Sequence, residues 1–303
     1  PAEWEPQDAV LLTWPHKNTA WNWILEDVTE LYEALATVIV DYADVIIALP
    51  AEMIDEVYGR LESMGAPMEY IYLYPCDSDD TWARDHGGIA VFAVSEQKDP
   101  MGISLYTNPS NGKIYAIVGR KEGVSGEYLY QYELTDNKGT VTANLVRKFG
   151  NYSGKKEIEA IMVDNELGYI YYADETQGIR KYYADPAKGN EELAFFGQKD
   201  FKRDHEGIAL YKTNSKEGYI LISDQQANNF VVYKQEGENG NANDHKMIAK
   251  IPFSTIECDG ADAVNFNFGG SFTNGIFVAM SNGMVFHYYD WNIIQKEIDK
   301  QAK

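Results

Sequence analysis

The chain has 303 residues, 45% of them hydrophobic and 22 of them tyrosine, enough to bury the core of one large domain or two. Its formal net charge of −21 repels nucleic acid and anionic membranes and attracts cations, so a polyanionic guest needs a bound cation or a local basic patch. Its two cysteines, Cys76 and Cys258, form neither a disulfide framework nor a zinc spacing, and no apolar run reaches the ~20 residues of a membrane span.

Residues 1–92 read as α/β. Ala9 to Thr13 is a short apolar strand. Trp21 to Tyr42 carries Ile24, Val28, Leu31, Leu35, Val38 and Ile39 at helical spacing. Asp44 to Leu49 reads as a strand, Met53 to Met64 as a second amphipathic helix ending at Gly65, and Met68 to Tyr74 as a third strand. This βαβαβ order predicts an α/β module.

Three stretches here, Pro1-Ala2-Glu3-Trp4-Glu5-Pro6, Trp14-Pro15-His16 and Asp80-Thr81-Trp82-Ala83-Arg84-Asp85, resemble the opening of the agmatine deiminase and bacterial peptidylarginine deiminase family. Those are pentein enzymes that hydrolyse a guanidinium group. The resemblance implies that Asp85 holds the guanidinium and that Trp82 and Trp14 line its site; a carboxylate suits the two parallel donors of that fork. The family's nucleophilic Cys and its catalytic His have no counterpart, because Cys76 lies in the wrong place and Cys258 in the wrong context. Without nucleophile and base, deiminase activity is not expected.

From residue 93 the pattern changes without a Pro/Gly/Ser linker, which predicts two unrelated pieces, 1–92 and 93–303. The second piece repeats. Glu157-Ile158-Glu159, Asp204-His205-Glu206-Gly207 and Asp259-Gly260-Ala261-Asp262 each precede a short apolar run. A turn and a Gly-led strand follow each of them, starting at Gly168, Gly218 and Gly275. An earlier copy, Met101 to Tyr106 with Gly112 to Val118, lacks the leading acids. Copies about fifty residues apart are a repeat signature. Third strands are expected at 128–134, 179–183, 230–234 and 284–289, and fourth strands in three copies at 140–149, 192–196 and 246–253. The expected fold class is mainly β, a partial or small β-propeller of four-stranded blades behind an N-terminal α/β, pentein-like module.

In a propeller the first strands of all blades run the same way along the axis, so their starts converge. That predicts one acidic ring of Glu159, Asp204, Glu206, Asp259 and Asp262. Carboxylates so close repel, and the site must take up protons or a cation. Hard oxygen donors at loose spacing favour Ca²⁺, which takes about 6–8 oxygens.

Residues 94–303 resemble a β-propeller phytase through Gln131-Tyr132-Glu133-Leu134, Glu159, the stretch from Gly168 to Glu175, Asp204-His205-Glu206-Gly207 and Cys258-Asp259-Gly260-Ala261-Asp262. That family removes phosphate from inositol hexakisphosphate with several Ca²⁺ ions. The resemblance implies calcium or active-site roles for Glu159, Glu175, Asp204, Glu206 and Asp259. It implies a site tyrosine at Tyr132, with Arg120, Lys121 and Arg147 as phosphate contacts. Asp262 joins the metal candidates from its place in the repeat; Glu175, Tyr132 and Arg147 are the catalytic candidates.

The sequence also departs from the family. The family has six blades where about four repeats are visible. Its paired-Asp and paired-Lys segments of the first blade are missing, and Ile251 to Glu257 is mostly apolar where the family has an Asp-rich run. The expected function is calcium-dependent phosphomonoester hydrolysis of a phosphorylated small molecule such as phytate, impaired if these ligands matter. The alternatives are a guanidine hydrolase and a non-catalytic metal- or partner-binding propeller. Location follows whichever resemblance governs: secreted or periplasmic for the phytase, cytoplasmic for the deiminase.

Overall fold

A computed structural model describes residues 9–76, 100–137, 140–282 and 285–302. The chain divides into two compact units, Pro1–Val94 and Ser95–Lys303.

In the first unit, β1 (Ala9–Thr13), β2 (Asp44–Leu49) and β3 (Ile71–Pro75) form a parallel sheet in the order β1-β2-β3, joined by α1 (Leu25–Ile39) and α2 (Ile54–Ser63). Parallel neighbours need helical crossovers, which is the βαβαβ order read from the sequence. The expected helix over 21–42 is shorter and opens with a 3₁₀ turn at Ala20–Ile24. The strand expected from Met68 is likewise 3₁₀ over Met68–Tyr70 before β3 begins. The buried face of α1 is also not the apolar stripe. Val28, Thr29, Glu33 and Ala36 are buried while Leu31, Leu35 and Val38 are exposed. The Glu33 carboxylate accepts a hydrogen bond from Arg60 on α2, which compensates for its burial. Trp14 lies fully buried in this unit's core, edge-on to Tyr32.

The second unit is a four-blade β-propeller arrangement of antiparallel sheets. Blade 1 is β4 (Pro100–Thr107), β5 (Ile114–Arg120), β6 (Leu129–Asn137) and β7 (Thr140–Phe149). Blade 2 is β8 (Ile161–Asp164), β9 (Tyr169–Asp174), β10 (Gly178–Tyr183) and β11 (Ala194–Phe196). Blade 3 is β12 (Ile208–Lys212), β13 (Gly218–Asp224), β14 (Asn229–Lys234) and β15 (Met247–Pro252). Blade 4 has three described strands, β16 (Ala261–Val264), β17 (Ile276–Ser281) and β18 (Val285–Asp290), and leads into α3 (Trp291–Gln301).

The innermost strands pack in succession, β4 on β8, β8 on β12 and β12 on β16; among the described residues no comparable packing joins β16 to β4. Three apolar clusters fill the spaces between successive blades. One joins Ile117, Phe149 and Tyr128 of blade 1 to Ile170, Tyr172 and Tyr182 of blade 2. The next joins Tyr171 and Phe196 to Ile220, Ile222 and Tyr233. The last joins Tyr211, Phe230 and Val232 to Phe277 and Ala279, with Trp291, Ile294 and Ile298 of α3 included. Many of the tyrosines sit at blade interfaces, where their rings pack; the hydroxyls of Tyr128, Tyr172 and Tyr211 donate to backbone carbonyls, and those of Tyr182 and Tyr233 to Glu192 and Asp200.

The C-terminal helix covers an edge that would otherwise be open. Gln301 hydrogen-bonds both backbone groups of Lys250 on β15, the outer strand of blade 3, at 3.0 and 3.1 Å. Covering an outer strand in this way removes a template for pairing with another chain. Trp291 stacks on Tyr211 with centroids 3.4 Å apart and is 2% exposed. Trp291→Ala should cost about 3–5 kcal/mol, as truncation of a buried large aromatic does. Urea denaturation would read this as a lower midpoint, and an unchanged midpoint would show that α3 does not support the blades.

Candidate metal centre

The acids lie in the loops that enter the innermost strands and just beyond the strands next to them. Glu157 and Glu159 precede β8, Asp204 and Glu206 precede β12, and Asp259 precedes β16; Glu175 follows β9 and Gln225 follows β13. In the first two loops the acids alternate with a buried residue. Ile158, between Glu157 and Glu159, belongs to the cluster between blades 1 and 2. His205, between Asp204 and Glu206, is buried against Phe201 at 4.4 Å and lies 3.2 Å from the Gly178 amide nitrogen. Burial lowers the pKa of His205, which favours the neutral ring. The buried member anchors the loop and the acids on either side of it are left facing the site.

Blade 1 makes room for this. A Cβ on Gly102 would lie 1.7 Å from the Glu159 carbonyl oxygen, and one on Gly119 would lie 2.6 Å from that of Ile158. Only glycine at these positions lets the 158–159 backbone approach β4 and β5 closely enough to place Glu159.

Two sets of three carboxylates result, Glu157 with Glu159 and Glu175, and Glu175 with Asp204 and Glu206. Within each set, ligand oxygens lie within 4.8 Å of one another. Glu175 belongs to both and is only 1% exposed. Its Oε2 faces Lys156 Nζ at 2.7 Å, and its Oε1 is buried without a hydrogen-bond partner. Burial raises its pKa against the opposing pull of Lys156. Lys156 Nζ also lies 3.1 Å from Asp204 Oδ2.

Two glutamines tie the remaining acids together. Gln225 Nε2 donates to Glu206 Oε2 at 2.6 Å and to Asp259 Oδ1 at 2.7 Å. Gln226 Nε2 donates to Asp204 Oδ2 at 2.9 Å, and its Oε1 accepts from the Asp204 amide at 2.8 Å.

The structure thus brings Glu159, Glu175, Asp204, Glu206 and Asp259 into one linked group. Asp262 stands apart: it lies within β16 and accepts a hydrogen bond from the Ala263 amide. Arg147 is also not brought there. Its guanidinium donates to Gln131 Oε1 and to the carbonyls of Gly189 and Tyr183, each at 2.6 Å, so it clasps blade 1 to blade 2. Tyr132 is buried on β6, beside Tyr130. Arg120 donates to the carbonyls of Tyr128 and Glu127 and lies over the Tyr130 ring at 4.3 Å. Lys121 is exposed and reaches Glu157 at 3.7 Å, so of the basic candidates it lies at the acids' rim. Trp14 is a core residue of the first unit, and Trp82 and Asp85 lie outside the described residues.

Sequence reasoning missed Glu157, Lys156, Gln225 and Gln226 as members of the group. One signal was available for Gln225. β9 ends at Asp174 and is followed by Glu175, and β13 ends at Asp224 and is followed by Gln225, so register between copies makes Gln225 the equivalent of Glu175. Lys156 carries no such signal, since only the fold shows which acids its side chain meets.

Comparison with known proteins places the chain in a family. The phytase family model matches residues 62–296, well over half of the sequence, and the chain belongs to that family. The model for the Porphyromonas-type peptidyl-arginine deiminase matches residues 1–115. A 3-phytase of Bacillus subtilis (strain 168) is 33% identical over 183 residues, covering 59% of this chain and 46% of that protein. An agmatine deiminase of Pseudomonas putida is 23% identical over 334 residues, covering 96% of this chain and 83% of that protein. A solved exo-beta-1,3-galactanase from Clostridium thermocellum aligns at 15% identity and a TM-score of 0.37, covering 61% of this chain and 44% of that one. The chain spans less than half the length of the 3-phytase it matches.

Glu206 shows what crowding does without a counter-ion. Burial, then Asp259, with Glu175 and Glu159 adding, push its pKa up to about 9. The unfolded chain releases this proton near the ordinary 4.5, whereas the folded, metal-free protein keeps it to about pH 9. Stability is therefore fully present below the lower value and is lost as pH rises across that window. Glu206→Gln removes the titration and keeps the shape. In chelator, its melting temperature at about pH 8 should exceed that of the unsubstituted protein by a few degrees, with a flatter pH profile. Parallel profiles in differential scanning calorimetry would show that Glu206 is ionised at neutral pH in the folded state.

Proposed function

We propose that this chain is a calcium-dependent phosphomonoester hydrolase acting on inositol phosphates such as phytate. The observation that carries the reading is the pair of carboxylate sets sharing the buried Glu175. A carboxylate oxygen kept from both water and hydrogen-bond donors fits a ligand for a hard cation, and an all-oxygen donor set at loose spacing fits Ca²⁺. Membership of the phytase family supports the same chemistry.

Glu157, Glu159, Glu175, Asp204 and Glu206 would hold the ions, with Gln225 fixing Glu206 relative to Asp259. Bound Ca²⁺ supplies positive charge for phosphate oxygens and Lewis acidity toward water. The chain's own residues do the rest. Without the ions the carboxylates present a negative rim that repels a phosphate. Lys121 at that rim offers a mobile ammonium to a phosphate oxygen. Arg120 is held over Tyr130 by two backbone carbonyls, which leaves it a fixed positive neighbour.

Phosphate release from phytate, followed against calcium concentration, tests this. Release should require calcium, stop in excess chelator, and fall at least about tenfold in Glu175→Gln, which removes a ligand charge common to both sets. Calcium binding with no phosphate release at any concentration would make the chain a metal-binding propeller instead. Release that persists in chelator would remove the metal from the reading altogether.

A further inference from the structure

We propose that Lys156 is a tethered counter-cation that holds the carboxylate group together in its metal-free form and is displaced when a divalent ion binds. This rests on the metal reading of the site. It concerns how that site is loaded and what limits its affinity.

The loop that crosses from blade 1 to blade 2 is fastened ahead of Lys156 and at its carbonyl. Ser153 donates to Asp174 twice, from its hydroxyl at 2.7 Å and from its amide at 3.0 Å, and Asp174 is itself held by Arg180 at 2.8 Å. The Tyr152 hydroxyl donates to the Lys156 carbonyl. The backbone is thereby fixed, and the side chain alone reaches the acids.

Its Nζ meets Glu175 Oε2 and Asp204 Oδ2, two members of the Glu175, Asp204 and Glu206 set. An ammonium held on these two carboxylates lies within a few ångströms of any divalent ion bound by the same set. At that separation two cations repel, so binding of the ion disfavours the ammonium. The Lys156 side chain is 41% exposed on a flexible four-carbon stem, so it can leave without moving the loop. Displacement breaks two ion pairs, and that loss is subtracted from the affinity for the metal. In return, the metal-free protein is spared two unneutralised carboxylates from adjacent blades.

Two measurements test this. In the unsubstituted protein, acetylation by limiting acetic anhydride, read by mass spectrometry, should rise several-fold at Lys156 on adding saturating calcium and stay constant at exposed Lys155. In calorimetric titration with calcium, Lys156→Met should bind about tenfold or more tighter. Lys156→Arg should bind no tighter than the unsubstituted protein, and Lys155→Met should match it.

Labelling of Lys156 that is unchanged or reduced by calcium overturns the proposal, and so does Lys156→Met binding with equal or weaker affinity. If those occur while calcium still binds, the metal reading stands and only the role of Lys156 falls. If neither protein binds calcium, both fall together. Should Lys156→Met fail to fold, the labelling of the unsubstituted protein decides alone.

Discussion

Mutual repulsion among carboxylates entering adjacent innermost strands is the constraint around which the second unit is arranged. The group needs positive charge, donated hydrogen bonds or protons to exist at all, and the structure supplies the first two and favours the third. Lys156 meets Glu175 and Asp204; Gln225 and Gln226 donate to Glu206, Asp259 and Asp204; Glu206 keeps a proton far above the ordinary carboxylate range. None of these is as strong a neutralising agent as a divalent cation in oxygen coordination. These contacts are therefore partial compensations for the crowding of like charges.

Holding such a group requires blades that do not yield. Aromatic packing supplies most of that rigidity, and buried polar clasps supply its direction. Arg147 joins blade 1 to the carbonyls of Tyr183 and Gly189 in blade 2. Lys181 of blade 2 is fully buried, lies over the Tyr169 ring at 3.9 Å, meets the Ala242 carbonyl and lies 3.2 Å from His245. Burial lowers the Lys181 ammonium to about 7 against the opposing pull of Asp164, so the charged form is disfavoured there. Gln235 donates to buried Asp164 at 2.5 Å across the same pair of blades.

Much of this was legible in the sequence because periodicity and turn chemistry are local. The four copies, the strand positions in each and the acids ahead of the first strands follow from a two-residue alternation and from Gly-led turns. The α/β order of the first unit follows from helical spacing between apolar runs. Individual roles were less legible. Arg147 reads as a phosphate ligand when only its charge is seen, and becomes a structural clasp once its three donors are traced to Gln131, Gly189 and Tyr183. The stripe Leu31, Leu35 and Val38 reads as the core face of α1, whereas those side chains are exposed and Glu33, paired with Arg60, is buried with Val28 and Ala36.

The sequence by itself determined the repeat, the chemistry of the converging acids and the family, since each depends on residue type at a given spacing along the chain. Tertiary structure decided membership of the site. Glu175 and Gln225 enter from the far ends of second strands, Lys156 enters from a loop between blades, and Asp262 is left out. Coulomb and hydrogen-bond energies depend on distances through space. Those distances were set by how one blade packs on the next, which no pattern along the chain records.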